Sequence, residues 1–290
     1  MSIFLEPFTY HYMLTAMWVS ALVGGFCAFM SCYLMLKGWS LIGDALSHSI
    51  MPGVAGAYML GLPFSIGAFF SGSLATAAMF FLHQHTKLKD DAIIGLIFSS
   101  FFGLGLFMIS LSPSSVNIQT IVLGNILAIT SIDILQLVII ISVSFTILLI
   151  KWKDFLVVFF DESYACSIGL NPGALKIVFF TLLSLAAVSA LQTVGTFLVI
   201  CMVVTPGATA YLLTDHFARL LVIAVAIGTC TSLVGAYSSY FLDGAPGGII
   251  VVLQTAIFLA AFFLAPKHGV LASRYWMVRN LKRGGDGEQL

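Results

Sequence analysis

The sequence predicts an all-α integral membrane protein with about eight to nine membrane-spanning helices, one of them short. Three observations support this fold class. First, 60% of the 290 residues are hydrophobic and only 8% are charged, whereas a water-soluble domain averages about 25% charged residues. Second, the 12 basic and 12 acidic residues cluster, which leaves uncharged runs of 17 to 42 residues. Third, the mean hydropathy is +1.08. These values exclude a soluble enzyme, and a net charge of zero gives no reason to expect a nucleic-acid partner.

Nine spans follow from the uncharged runs, because a spanning helix needs about 20 apolar residues. Four runs hold one span each: 7–36, 134–150, 220–242 and 244–266. The run 45–86 divides at Gly61-Leu62-Pro63, and the run 92–132 gives one helix and a polar stretch. The run 177–214 can fold as a hairpin near Gln192–Gly195. The second arm of this hairpin is too short to cross the membrane as an isolated helix, so protein must shield it from lipid. The predicted spans are 13–36, 41–60, 64–82, 93–111, 131–150, 174–191, 194–205, 219–241 and 247–265.

This layout puts every basic residue on one side of the membrane. The loops hold Lys37, Lys87, Lys89, Lys151, Lys153, Lys176 and Arg219, and the tail holds Lys267, Arg274, Arg279, Lys282 and Arg283. By the positive-inside rule that side is the cytoplasm, so the N-terminus is expected outside and the C-terminus inside. Residues 1–270 are expected to form the transmembrane domain and 271–290 a basic cytoplasmic tail.

Asp44 and His48 are two ionisable residues within an otherwise apolar predicted span. They are four residues apart and therefore share one helix face. A carboxylate within a span costs about 2.5–3.5 kcal/mol, so it normally faces a partner or a water-filled path. Together the two side chains can hold a divalent transition metal, and Ser47 and Ser49 add oxygens nearby. The alternative is that Asp44 caps the helix near the cytosolic surface while His48 makes an ordinary internal hydrogen bond.

Asp243 is a second candidate metal ligand, at an outer turn between two uncharged runs. Locally, the pattern favours an ordinary turn aspartate ahead of Pro246, which suits the first position of a helix. His83 and His85 lie beside lysines in a cytoplasmic loop and are given no metal role.

The segment Thr205–Arg219 is predicted to form a short amphipathic helix on the cytoplasmic side, over about 206–217, after a break in the preceding span. It is either an interfacial anchor or a docking element for a cytosolic partner. The break is formed by Pro206 and Gly207, the apolar anchors are Tyr211, Leu212 and Phe217, and the orienting charges are Asp215 and Arg219.

The sequence has no motif for ATP hydrolysis or nucleophilic catalysis. A Gly-x-x-x-x-Gly-Lys-Ser/Thr loop does not occur, so the chain does not bind ATP by that route. The five cysteines are scattered without a CxxC pair and are predicted to be small apolar fillers. The chain is therefore not expected to be an enzyme or to hold a permanently bound cofactor.

Several motifs resemble the ABC-type metal-ion permeases that import manganese, iron or zinc, and most closely the chelated iron/manganese permeases of Gram-negative bacteria. The segments that carry the resemblance are Leu36–Ala55, Asp91–Ser99, Leu123–Leu127, Phe160–Tyr164, Val203–Ala210 and Tyr240–Gly244. The resemblance covers nearly the whole chain. It implies an inner-membrane permease subunit, metal contact at Asp44 and His48, and a coupling helix at Thr205–Arg219.

The resemblance also implies partners. These are two cytosolic ATPase subunits, a periplasmic metal-binding protein, and either a second copy of this chain or a sister permease. The metal ion is then the transported substrate. An ion-coupled secondary carrier would use the same buried carboxylates and stays open as the alternative. An intramembrane enzyme is disfavoured, because no paired catalytic set stands out.

Overall fold

The computed structural model describes residues 5–39, 41–62, 64–111 and 131–265, which form helices joined by short turns. In chain order the elements are a 3-10 helix (Glu6–Thr9), α1 (His11–Lys37), α2 (Ile42–Ser49), α3 (Met51–Leu60), α4 (Phe64–His85), α5 (Asp90–Leu111), α6 (Ser131–Ile150), α7 (Trp152–Phe160), α8 (Glu162–Ser167), α9 (Pro172–Val194), α10 (Thr196–Leu213), α11 (Phe217–Leu242) and α12 (Pro246–Leu264). The all-α prediction is confirmed over these ranges. The predicted tail at 271–290 and the motif Leu123–Leu127 lie outside them.

Within the described ranges, five helices are long and apolar enough to cross a membrane, by length and composition. They are His11–Lys37, Ile66–His85, Asp90–Leu111, Phe217–Leu242 and Pro246–Leu264. A sixth crossing results if α6 and α7, which meet at an angle of 70°, count as one broken span. The remaining apolar helices are shorter, so the membrane character is confirmed while the nine-span count stays a prediction.

The predicted second span, 41–60, is not one helix. It consists of α2 and α3, which meet at Ile50. Pro52 lies in the first turn of α3, where its missing backbone N–H would have no helical acceptor in any case. The interruption follows from the proline and leaves α2 as a separate eight-residue helix.

The helix is interrupted where the sequence predicts a hairpin, near Gln192–Gly195, while the hairpin itself stays a prediction. Helix α9 ends at Val194 and α10 begins at Thr196. Gly195 between them has φ of +89°, in the left-handed region that glycine adopts at little cost.

The predicted corner at Pro206-Gly207 is wrong. Helix α10 runs through Pro206 and ends only at Leu213, so there is no separate helix over 206–217. Ser31 of α1 supports the helix at this point. Its Oγ accepts a hydrogen bond from the Gly207 N–H at 3.1 Å and donates one to the Val204 carbonyl at 3.2 Å. Neighbouring hydroxyls of this kind let membrane helices tolerate proline.

Helix α1 forms the centre of the bundle. Of its most apolar stretch 83% is buried, against 11–33% in the other four long candidate spans. It packs mainly against α10 and α11. A Cβ on Gly24 would lie only 2.6 Å from the Gly228 carbonyl oxygen, so small residues allow α1 and α11 to approach closely. All five cysteines are free thiols, and Cys27 and Cys32 are buried in this core.

An aromatic cluster ties the C-terminal half of α1 to three later helices. The fully buried Tyr33 has the rings of Phe155, Phe159, Phe179 and Phe217 within 5.0–6.2 Å of its own. Its hydroxyl also donates to a backbone carbonyl in the first turn of α7, at 3.2 Å. The cluster fixes α7, α9 and the start of α11 around the same end of α1.

Candidate metal site and coupling surface

Asp44 and His48 lie on one face of α2, as their spacing predicts, and they contact each other. The distance from His48 Nε2 to Asp44 Oδ1 is 3.3 Å. Two ligand atoms bound to one divalent ion at about 2.1 Å are roughly 3.0–3.4 Å apart. The pair is therefore spaced to hold one metal ion between its nitrogen and its oxygen.

The other ring nitrogen of His48 has no partner. Nδ1 is buried and makes no hydrogen bond to any residue that the structure describes. The imidazole ring lies against the side chains of Phe98 and Phe102 on α5, each with its ring centroid 5.2 Å away. A buried polar atom without a partner is rare in folded proteins. Among the described residues, Nδ1 therefore lacks the ordinary internal hydrogen bond that the sequence offers as the alternative, which is compatible with a functional role for the ring.

The pair is only partly shielded from solvent. The Asp44 side chain is 41% exposed and the His48 side chain 22%. Ser47 and Ser49 are buried and donate to carbonyls of their own helix, at 2.8 Å and 2.6 Å. The predicted extra oxygens are thus engaged with the backbone, and the accessible donors are those of Asp44 and His48.

Asp243 lies apart from this pair. It ends α11 with φ of +48°, the only non-glycine residue with positive φ in the described ranges, and it is exposed. The main contacts of α2 are with α3, α4, α5, α9 and α10 rather than with α11. Within the described parts of the chain, no three His, Cys, Asp or Glu residues group closely enough to hold a metal. Asp243 therefore does not join Asp44 and His48 in one cluster.

The predicted coupling residues divide into two sets. Tyr211, with 53% exposure, and Asp215 lie on the surface around the end of α10, and Leu212 is half-buried. Pro206 and Gly207 are buried within α10.

Phe217 is not the free apolar anchor that the sequence predicts. Its ring lies 5.0 Å from that of Tyr33, between centroids, because it opens α11 against the centre of the bundle. Arg219, two residues further on, is exposed.

Residues 9–265 match the sequence profile of the ABC 3 transport family. The chain belongs to that family. It is 65% identical over 275 residues to the chelated iron transport system membrane protein YfeC of Yersinia pestis, covering 95% of this chain and 94% of that protein. It is 44% identical over 283 residues to the manganese transport system membrane protein MntB of a Synechocystis strain, covering 98% and 92%.

A solved structure has the same fold as this ABC 3 family member. The structure described as PsaBC from Streptococcus pneumoniae in complex with Fab aligns with a TM-score of 0.82 and 33% identity. The alignment covers 96% of this chain and 99% of that chain. The helical arrangement described above is therefore that of an ABC transporter permease.

The ABC 3 permease has an ion cluster that the sequence did not predict. Glu162 of α8 accepts hydrogen bonds from Lys37 at the end of α1, at 3.0 Å, and forms an ion pair with Lys176 of α9, at 2.6 Å. The Lys176 side chain is only 4% exposed. Partial burial acts to raise the pKa of Glu162, but the two ammonium groups outweigh it and hold that pKa below its usual value. The cluster joins three helices at one end of the bundle.

A second polar cluster occupies the same end of the ABC 3 permease. His83 Nδ1 lies 2.8 Å from Asp90 Oδ1, and Trp39 Nε1 donates to Asp90 Oδ2 at 2.8 Å. His83 is thus engaged with a carboxylate across the α4–α5 turn. His85 instead has its Nδ1 2.9 Å from the Phe81 carbonyl of its own helix.

Proposed function

We propose that this chain is the membrane permease subunit of an ATP-driven importer that moves divalent iron or manganese into the cytoplasm, with zinc as a further candidate. The observation that carries the proposal is the Asp44–His48 pair, which places a carboxylate and an imidazole in contact on one face of α2, with the imidazole Nδ1 buried and unpartnered among the described residues. Family membership favours this function over an ion-coupled carrier, and the names of the relatives favour iron and manganese.

Asp44 and His48 would form a transient station for the metal. One carboxylate lowers the net charge of a divalent ion in the apolar surroundings, and neutral imidazole is a ligand for iron and zinc. Two protein ligands leave coordination positions for water or for a second pair, so the ion is bound weakly enough to leave. Asp243, exposed at the end of α11, would contact the metal separately, at the outer face of the same path.

Helix α10 is the element we propose for coupling. Gly43, the residue before Asp44 on α2, is in contact with Val203 of α10. Because α10 is continuous from Thr196 to Leu213, displacement of its surface end would also shift Val203, which belongs to the same helix. A cytosolic ATPase subunit would dock on Tyr211 and its neighbours, and thereby change the position of α2.

The complete importer would contain further proteins. These are two ATPase subunits, a periplasmic metal-binding protein, and a second copy of this chain or a sister permease. The turn between α10 and α11 would face the cytoplasm, with Leu212 and Asp215 beside Tyr211 at the docking surface and Arg219 at its rim, toward the membrane. The N-terminus would face the periplasm and the C-terminus the cytoplasm.

The test is metal uptake by the chain reconstituted in liposomes with its ATPase subunits and binding protein. Uptake of radioactive manganese should require ATP hydrolysis and should persist when an ionophore collapses the proton gradient. Competition with unlabelled iron, manganese and zinc then ranks the substrates. Uptake by the chain alone, driven by a proton gradient, would instead support the secondary carrier.

A further inference from the structure

An apolar groove runs along the outside of the bundle between α1, α6 and α11. It consists of two adjoining cavities of about 610 Å³ and 360 Å³, which share Phe145, Val225 and Thr229. Ligand pockets in proteins typically have volumes of about 300–1,000 Å³. The groove is therefore large enough for a substantial apolar group, and its rim is exposed along α11, as at Val222.

Along α11 the lining of the groove is about as long as one membrane leaflet. On α11 its lining extends from Ala218 to Cys230, which is about 18 Å at 1.5 Å per residue. Half of a hydrocarbon core about 30 Å thick is roughly 15 Å. A lipid acyl chain therefore matches the part of α11 that lines the groove.

Two basic side chains stand at one end of the groove. Arg219 precedes the lining residue Val222 by one helical turn, and Lys153 Nζ lies 5.7 Å from the ring centroid of the lining residue Trp152. Neither Lys153 nor Arg219 forms an ion pair within the described ranges. Lys151 nearby is neutralised by an aspartate carboxylate at 2.9 Å. Among the described residues, no carboxylate therefore forms an ion pair with either of these two cations.

We propose that the groove binds an anionic phospholipid, with an acyl chain along α11 and the phosphate group between Lys153 and Arg219. Basic residues beside membrane helices on the cytoplasmic side favour anionic headgroups. A second copy of this chain would have to place a carboxylate opposite each of the two cations, because a cation buried without a partner is costly, whereas one phosphate group can face both.

The charge part of the proposal is tested by native mass spectrometry of the full-length chain in detergent. Phosphatidylglycerol and phosphatidylcholine with identical acyl chains are the two probes. The wild-type protein should retain phosphatidylglycerol preferentially, and the double variant K153Q/R219Q should lose roughly 10- to 30-fold of that preference. The matched control K87Q/K89Q removes two exposed charges that lie away from the groove. This variant should keep the preference for phosphatidylglycerol. Equal retention of both lipids by the wild type would overturn the proposal.

The apolar part is tested by filling the groove. Ala226 is an exposed lining residue on α11, and Ala256 is an exposed alanine on α12 that does not line the groove. Ala226→Trp should abolish the retention of the phospholipid molecule bound in the groove, and Ala256→Trp should leave that molecule bound. If Ala226→Trp leaves lipid binding intact and instead changes the oligomeric state, the occupant is a second copy and the proposal is wrong. The readout is bound lipid rather than uptake, so it does not depend on the proposed transport function.

Discussion

Gly43 of α2 meets Val203 of α10 so closely that a methyl group at Gly43 would lie 2.9 Å from Val203 Cγ1. Real side chains essentially never pack at that distance, so the two helices are in direct contact one residue before Asp44. The contact links the helix of the candidate metal ligands to the helix that ends at the candidate docking surface.

Gly43→Ala should therefore weaken the link between α2 and α10. Overpacking of this kind typically costs about 1–3 kcal/mol, so the melting temperature should fall and metal uptake per ATP hydrolysed should decrease. Val203→Ala makes room for the added methyl group, and the double variant should recover both properties. Unchanged coupling in the single variant, or no recovery in the double one, would show that this contact does not transmit the motion.

The stability that the ion cluster contributes should depend on the negative charge of Glu162. Glu162→Gln leaves the buried Lys176 ammonium without its carboxylate, and we expect a loss of about 1–3 kcal/mol in the free energy of unfolding. A double variant that also carries Lys176→Met should be more stable than Glu162→Gln alone. Equal stability of the single and double variants would contradict a charge-based role.

The stability that the Glu162 cluster supplies should vary with pH in one direction. The folded-state pKa of Glu162 is below its ordinary value of 4.5, so the contribution is fully present above pH 4.5 and is lost as the pH falls through the folded pKa. The difference in thermal stability between the wild type and Glu162→Gln should therefore be constant from pH 8 to about pH 5 and shrink under more acidic conditions. A difference that grows on acidification would exclude this account.

Alanine variants at Phe217 and Tyr211 should distinguish a residue that packs in the bundle from a residue that docks the ATPase subunit. Phe217→Ala removes a ring that packs on Tyr33, so we expect a loss of about 2–4 kcal/mol in stability. Tyr211→Ala removes an exposed ring and should leave the stability within about 0.5 kcal/mol of the wild type. Its effect should instead be weaker co-purification of the ATPase subunit. Normal ATPase binding by Tyr211→Ala would move the docking surface elsewhere, for example to the α8 region.

Local patterns explain which features could be predicted from the sequence. The membrane character follows from composition, and the Asp44–His48 contact follows from a four-residue spacing that any α-helix brings onto one face. The break at Gly195 follows from a glycine beside polar residues within an apolar run. None of these needs knowledge of which helices are neighbours.

The features that the sequence did not predict depend on contacts between distant residues. Helix α10 continues through Pro206 where Ser31, more than 170 positions earlier, supports its backbone. Glu162 joins Lys37 across 125 positions, and the Phe217 ring faces inward because Tyr33 lies beside it. One sequence without related sequences contains no signal for such pairs.

Uptake by an Asp44→Asn variant tests the central claim most directly. Asparagine keeps the size and hydrogen bonding of the side chain but loses its charge, and Asp91→Asn, at an exposed carboxylate on α5, is the matched control. In the reconstituted complex, ATP-driven uptake of radioactive manganese should fall at least tenfold in Asp44→Asn and stay normal in Asp91→Asn. Thermal stability and ATPase assembly should be unchanged in both variants. Full uptake by Asp44→Asn would contradict the assignment of the Asp44–His48 pair as the metal station.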